Sequence, residues 1–183
     1  MSATETTVAA GTWAIDATHS SIGFEVKHLG VSTFRGSFKD VAGTITTDNG
    51  TVTAVEGTIR TASVQTVDTA LDGHLRAPDF FDSANFPQGS FRSTEVEDLG
   101  EGRLRVVGEL ELRGVTNPVE IDAAISGTGS DPYGNERLGL SGSAVIDRTR
   151  FGISWNAPLP GGVLTVAEKV RLVLDVSATR PAS

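Results

Sequence analysis

The 183-residue chain contains no cysteine, which excludes disulfides, thiolate nucleophiles and cysteine-based zinc sites together. Histidine is scarce at three residues, and they form neither an H-E-x-x-H pair nor an obvious metal cluster. No G-x-S-x-G elbow, G-x-G-x-x-G turn or P-loop occurs. No apolar run approaches the roughly 20 residues of a membrane span. The opening residues, Met1 to Ala10, lack the basic and apolar regions of an export signal. The expectation is a cytoplasmic protein without an integral membrane segment. Positive charge is also short, with 15 Lys and Arg against 23 Asp and Glu and a net charge of −8. Such a chain repels phosphate backbones and anionic surfaces, which excludes nucleic acid as a natural partner.

What the chain does have is alternation of period two, the mark of half-buried strands. Ile22, Phe24, Val26 and His28 share one parity; Leu104, Val106, Gly108, Leu110 and Leu112 share another. Leu138 to Ile146 and Val170 to Val176 read the same way. Turn chemistry separates the runs, at Asp48-Asn49-Gly50, Asp98 to Gly102, Thr116-Asn117-Pro118 and Asp131 to Asn135. Eight strands result: 12–28 (bent near Ala17), 34–47, 52–65, 89–97, 103–113, 118–128, 137–148 and 166–178. The pattern predicts a flexible terminus over 1–11, one barrel domain over 12–178 and a tail over 179–183. With no helices to cover a sheet, closing it into an antiparallel barrel is the cheapest way to bury its apolar face. A two-sheet sandwich is the alternative.

One segment breaks the alternation. Asp68 or Thr69 is placed to cap a short helix running to about Leu75, with Leu71 and Leu75 on one face. Ala77 to Asp82 and Phe86-Pro87 follow, and half of the eight Phe lie between positions 80 and 91. So aromatic a segment is expected to plug or lid one end of the barrel.

Gly36, Gly43, Gly57, Gly108 and Gly142 fall on the apolar parity. They mark either corners of a filled barrel or space cleared for a ligand. A cleared tunnel suits a flexible hydrocarbon tail, worth about 0.8 kcal/mol per buried CH₂.

Trp13 to Ser20, Phe24 to Ser32 and Phe34-Arg35-Gly36-Ser37-Phe38 resemble the opening of the YceI-like family. His74 to Asp82 with Phe86-Pro87 and Phe91, then Gly108 to Thr116 and Arg150-Phe151-Gly152-Ile153, are similar to its later motifs. The resemblance spans about residues 12 to 178. It implies an all-β fold, a lipocalin-like eight-stranded barrel with one short helical and aromatic lid. It also implies binding of a polyisoprenoid, a polyprenyl diphosphate or isoprenoid quinone, or a similar long-chain lipid. No cofactor and no catalysis are implied.

Candidate ligand contacts follow. Phe24, Val26, Phe34 and Phe38 come from the first strands, with Phe91 and Trp155 from later in the chain. Leu71, Leu75, Phe80, Phe81 and Phe86 come from the lid. Each serves equally as ordinary core. His28 lies on the inward parity as a head-group contact or a structural histidine. Arg76 suits a diphosphate, or an ion pair with Asp72, Asp79 or Asp82. Asp147 to Arg150 reads as a solvated loop or a set of ion pairs. Two other functions remain open: a barrel enzyme acting on an isoprenoid lipid with His28 as acid–base, and a filled barrel serving as an interaction module. A homodimer through outward Val107, Val145 and Val173 is also open.

Overall fold

The computed structural model describes residues 7–181. Its strands are β1 (Gly11–Ile15), β2 (Ser21–His28), β3 (Ser32–Phe38), β4 (Val41–Asp48), β5 (Thr51–Arg60) and β6 (Val64–Gln65). After one helix, α1 (Thr69–Arg76), come β7 (Gln88–Gly100), β8 (Arg103–Leu112), β9 (Val115–Ser130), β10 (Asn135–Asp147) and β11 (Val166–Pro181). Pairing runs β1-β4-β5-β7-β8-β9-β10-β11, and β11 returns to β1 through Ala14–Thr179 and Ile15–Ala178. Eight antiparallel strands therefore close into a barrel.

The bend expected near Ala17 has a definite cause. Asp16 accepts the Thr18 N–H at 3.0 Å and caps a single 3-10 turn, Ala17–His19. The chain then re-enters the sheet as β2, which pairs with β11 from Ser21–Asp175 to His28–Val166. β1 and β2 thus occupy one seat beside β11. The run expected over 34–47 is likewise two strands, broken at Lys39 and Asp40, whose N–H groups both donate to Ser63 Oγ.

One turn lies elsewhere than the sequence suggests. Thr116-Asn117-Pro118 is strand, with Pro118 opposite Glu109. The reversal is at Arg113-Gly114, with φ of 52° and 70°, the left-handed geometry that two-residue hairpins need. Pro118 precedes the stretch of β9 that pairs with β10, which begins at Asp122, so on that side no ladder bond is asked of it.

The flexible terminus expected over 1–11 lies partly outside the described residues. Within them, Val8 is buried and bridges Gly50. Residues 179–181 continue β11, and the remainder of the expected tail lies outside the described residues.

The two halves of the barrel differ. At the Val8 end, Trp13, Ile45, Val52, Leu104 and Leu138 fill the interior with almost no exposure. Trp13 donates its indole N–H to Thr47 Oγ1 at 2.9 Å, and the Arg180 guanidinium lies over its ring. Such close packing leaves no room for a guest. The hollow is at the other end. Of the outward valines, Val145 is exposed while Val107 and Val173 are half-buried.

Candidate functional site: an apolar cavity open at one end

The hollow half holds a cavity of about 360 Å³, within the range of ligand sites. Its wall is aliphatic and aromatic. Phe24 and Phe34 stand on β2 and β3, their centroids 6.3 Å apart. Phe81 projects in from the lid, edge-on to Phe38 at 5.3 Å and to Phe24 at 6.2 Å. Ile59, Leu112 and Val119 complete the far side.

The lid is built locally. Asp68 caps α1 by accepting the Ala70 N–H at 2.8 Å, which leaves Leu71, His74 and Leu75 facing the cavity. Buried Asp72 accepts the Thr66 N–H and hydroxyl, both at 2.7 Å. After the helix the chain reverses, and the Phe81 N–H donates to Leu75 O at 2.9 Å. Arg113 clamps the turn from β8's end by donating to Phe80 O at 2.8 Å. His74 then packs edge-on against Phe80 at 4.9 Å and Trp155 at 5.2 Å. This cluster joins the lid to the loop before β11.

Most of the residues singled out from the sequence converge on the cavity wall, and two do not. Arg76 lies off the wall and donates to Ala62 O at 2.8 Å and Val64 O at 3.2 Å, tying the lid to the barrel, and it forms no ion pair with an acid among the described residues. Phe86 packs beside Gly114 outside the wall. His28 is exposed at the mouth, with no side-chain hydrogen bond among the described residues.

Four of the five inward glycines divide into three kinds. A Cβ on Gly36 would collide with the Phe24 ring, 2.9 Å from Cε1, and one on Gly108 with the Arg92 carbonyl oxygen and with the Phe91 ring, 2.7 Å from Cε2. These two seat aromatic rings. Gly43 is crowded by Gly57 across the β4–β5 pair and marks a tight corner. Gly57 alone of the three kinds opens room: it lines the cavity, and a Cβ there would meet nothing nearer than Ala42 O at 3.8 Å.

Arg148 is the residue the sequence hid. It sits in a charge-dense run, yet it is buried and lines the cavity. Its guanidinium donates to Ile153 O at 2.8 Å, Ala167 O at 2.9 Å and Val166 O at 3.1 Å, and it has no carboxylate ion pair among the described residues. Burial pushes its pKa down from the ordinary value. Its neighbour Asp147 instead caps the 3-10 turn Arg148–Phe151 by accepting the Thr149 N–H at 3.0 Å. The ionisable residues on the cavity wall are Lys27, His28, His74 and Arg148, with no Asp or Glu among them. No group of three metal-ligating side chains exists among the described residues.

A closed antiparallel barrel, solid at one end and hollow and apolar at the other under a helical lid, is a lipocalin-like barrel. Residues 13–178 match the YceI-like domain, and the chain belongs to that family. It is 42% identical over 137 residues to protein YceI of Escherichia coli O6:H1, covering 74% of this chain and 71% of that one. It is 37% identical over 137 residues to a UPF0312 protein of Vibrio parahaemolyticus, with 74% and 72% covered.

Among solved structures, BcnA of Burkholderia cenocepacia superposes with a TM-score of 0.78 at 20% identity, covering 89% of this chain and 98% of that one. The YceI protein of Campylobacter jejuni gives 0.73 at 27% identity, covering 85% and 90%. A polyisoprenoid binding domain from Saccharophagus degradans gives 0.65 at 16% identity, covering 94% and 100%.

Proposed function

We infer that this barrel is a lipid-binding protein that holds the apolar tail of a polyisoprenoid, such as a polyprenyl diphosphate or an isoprenoid quinone, and sequesters or carries it. The observation that carries this reading is the one-ended apolar hollow of about 360 Å³. That volume lies low in the range of ligand sites, which suits one tail rather than a bulky ring system. Each five-carbon unit buried contributes roughly 4 kcal/mol before entropic costs. Phe24, Phe34, Phe38, Phe81 and Phe91 would contact the tail, with Val26, Leu71, Leu75 and Phe80 beside them. The head would sit at the mouth by His28 and Trp155. The designation of the Saccharophagus domain supports the ligand class, and the hollow opposes the filled interaction module. His28 has no acid or base bonded to it among the described residues, which gives the barrel-enzyme alternative no support.

Native mass spectrometry of protein purified from its own host, followed by organic extraction, tests the reading. A polyprenyl species near one per barrel supports it. Protein that is empty, and stays empty after incubation with long-chain isoprenoids, overturns it.

A further inference from the structure

Exposed apolar side chains gather at the mouth of the cavity. Leu29 and Val31 are exposed on the β2–β3 hairpin tip, Val31 at 84%. Leu159, Val163 and Leu164 are exposed on the loop before β11. The two tips are joined, because the Leu29 N–H donates to Thr165 O at 2.9 Å and His28 pairs with Val166. Trp155 and Thr165, the feet of that loop, line the cavity, as does His28. The apolar tips therefore form the rim of the opening.

The loop is anchored rather than loose. Pro158 and Leu164 bridge, and the Leu159 N–H donates to Val163 O at 3.2 Å. Asn156 accepts the Thr165 N–H at 2.9 Å and donates to Val166 O at 2.7 Å. The stretch from Phe151 to Ala167 contains no charged residue, in a chain of which 21% is charged. Leu29 to Thr33 is uncharged as well. A contiguous exposed apolar patch marks an interaction surface.

We propose that this rim docks on a lipid bilayer, with Leu159, Val163 and Leu164 and the Leu29–Val31 tip entering the headgroup boundary so that the cavity mouth faces the membrane. The proposal rests on the lipid-binding reading only for its purpose. The chemistry favours a bilayer over a protein. Uncharged aliphatic tips bring no charge to desolvate in the acyl layer. Neither exposed tip carries an arginine, an anchor typical of protein interface cores. Exposed Lys27 lies on the cavity wall beside the tips, but the tips themselves are uncharged and the chain carries −8, so docking is expected on a zwitterionic surface.

The test is flotation of the full chain with phosphatidylcholine vesicles, beside titration of the cavity with a dansyl-labelled isoprenoid. Wild-type protein is expected to float with the vesicles at low and high salt alike. The double variant Leu159→Asp, Val163→Asp is expected to partition about tenfold less, with melting temperature and probe affinity unchanged. Wild-type protein that binds the probe but stays in solution overturns the docking and leaves the lipid-binding reading standing. A double variant that floats like wild type also overturns it. So does sedimentation showing a wild-type dimer that the variant turns to monomer, which would assign the patch to a second copy. Vesicle binding without probe binding supports the docking and counts against the lipid-binding reading.

Discussion

Phe24 and Gly36 face each other across the β2–β3 pair, and the outer edge of the Phe24 ring occupies the space where a Gly36 side chain would be. The ring thereby becomes cavity wall instead of cavity plug. Gly36→Ala must push it aside, into the hollow or off its rotamer. Overpacking of this kind costs roughly 1–3 kcal/mol. The expected result is a lower urea midpoint together with weaker binding of an isoprenoid probe. An unchanged midpoint would mean that the ring has another place to go.

Gly57 is the opposite case, since its missing side chain leaves open space in the cavity. Gly57→Leu fills that space at little steric cost and removes a flexible residue from a strand. Stability is expected to hold or to rise by about 0.5–1 kcal/mol. Probe affinity is expected to fall by about tenfold or more, as room for several CH₂ groups is lost. Thermal melts and fluorescence titration on the same preparation check both halves.

These two glycines show what was legible in the sequence. Both lie on the inward parity, so the strand reading placed them, but parity cannot tell a ring seat from an opening. That distinction depends on which aromatic lies across the neighbouring strand, a matter of register. The bend at Ala17, a helix start at Asp68 or Thr69 and the aromatic lid were all readable, because short-range turn chemistry sets them. Pro118 misled because its tolerance depends on where β10 begins to pair, a long-range fact. The bonding of Arg148 and Arg76 was not legible for a related reason. Their partners are backbone carbonyls, which no side-chain pattern announces. The solid end was not foreseen either, since Trp13, Ile45 and Leu138 come from strands distant in sequence.

Asp16 gives the fold a defined response to acid. Its carboxylate accepts from Arg137 Nη1 and pairs with His19 Nδ1, both at 2.7 Å, and its pKa is held at about 2 against an ordinary 3.8. Arg137 is the leading cause, ahead of His19. A carboxyl depressed in the folded state contributes stability above its unfolded pKa and loses it as pH falls through the folded value. Asp16→Asn is therefore expected to melt below wild type at pH 6, by about 1 kcal/mol allowing for solvent screening. The gap should narrow below about pH 4 and vanish near pH 2. A gap that persists at pH 2 would point to the turn cap rather than the charge.

Arg148 joins three carbonyls at the foot of the rim loop, from Ile153, Val166 and Ala167. Three acceptors converging on one planar fork explain why a cation is kept beside an apolar cavity without a carboxylate bonded to it. Arg148→Met preserves most of the volume and strips all three donors. Each orphaned buried acceptor costs on the order of 1 kcal/mol or more, so a total loss of about 3 kcal/mol is expected in urea unfolding. Arg148→Lys should recover little of it, because one ammonium on a single stem cannot span the geometry of the fork. Amide hydrogen exchange separates this from a diffuse core effect. Protection is expected to fall first at Ile153 and at Val166 and Ala167, where the loop meets β11, while the solid end around Trp13 and Leu138 keeps its protection.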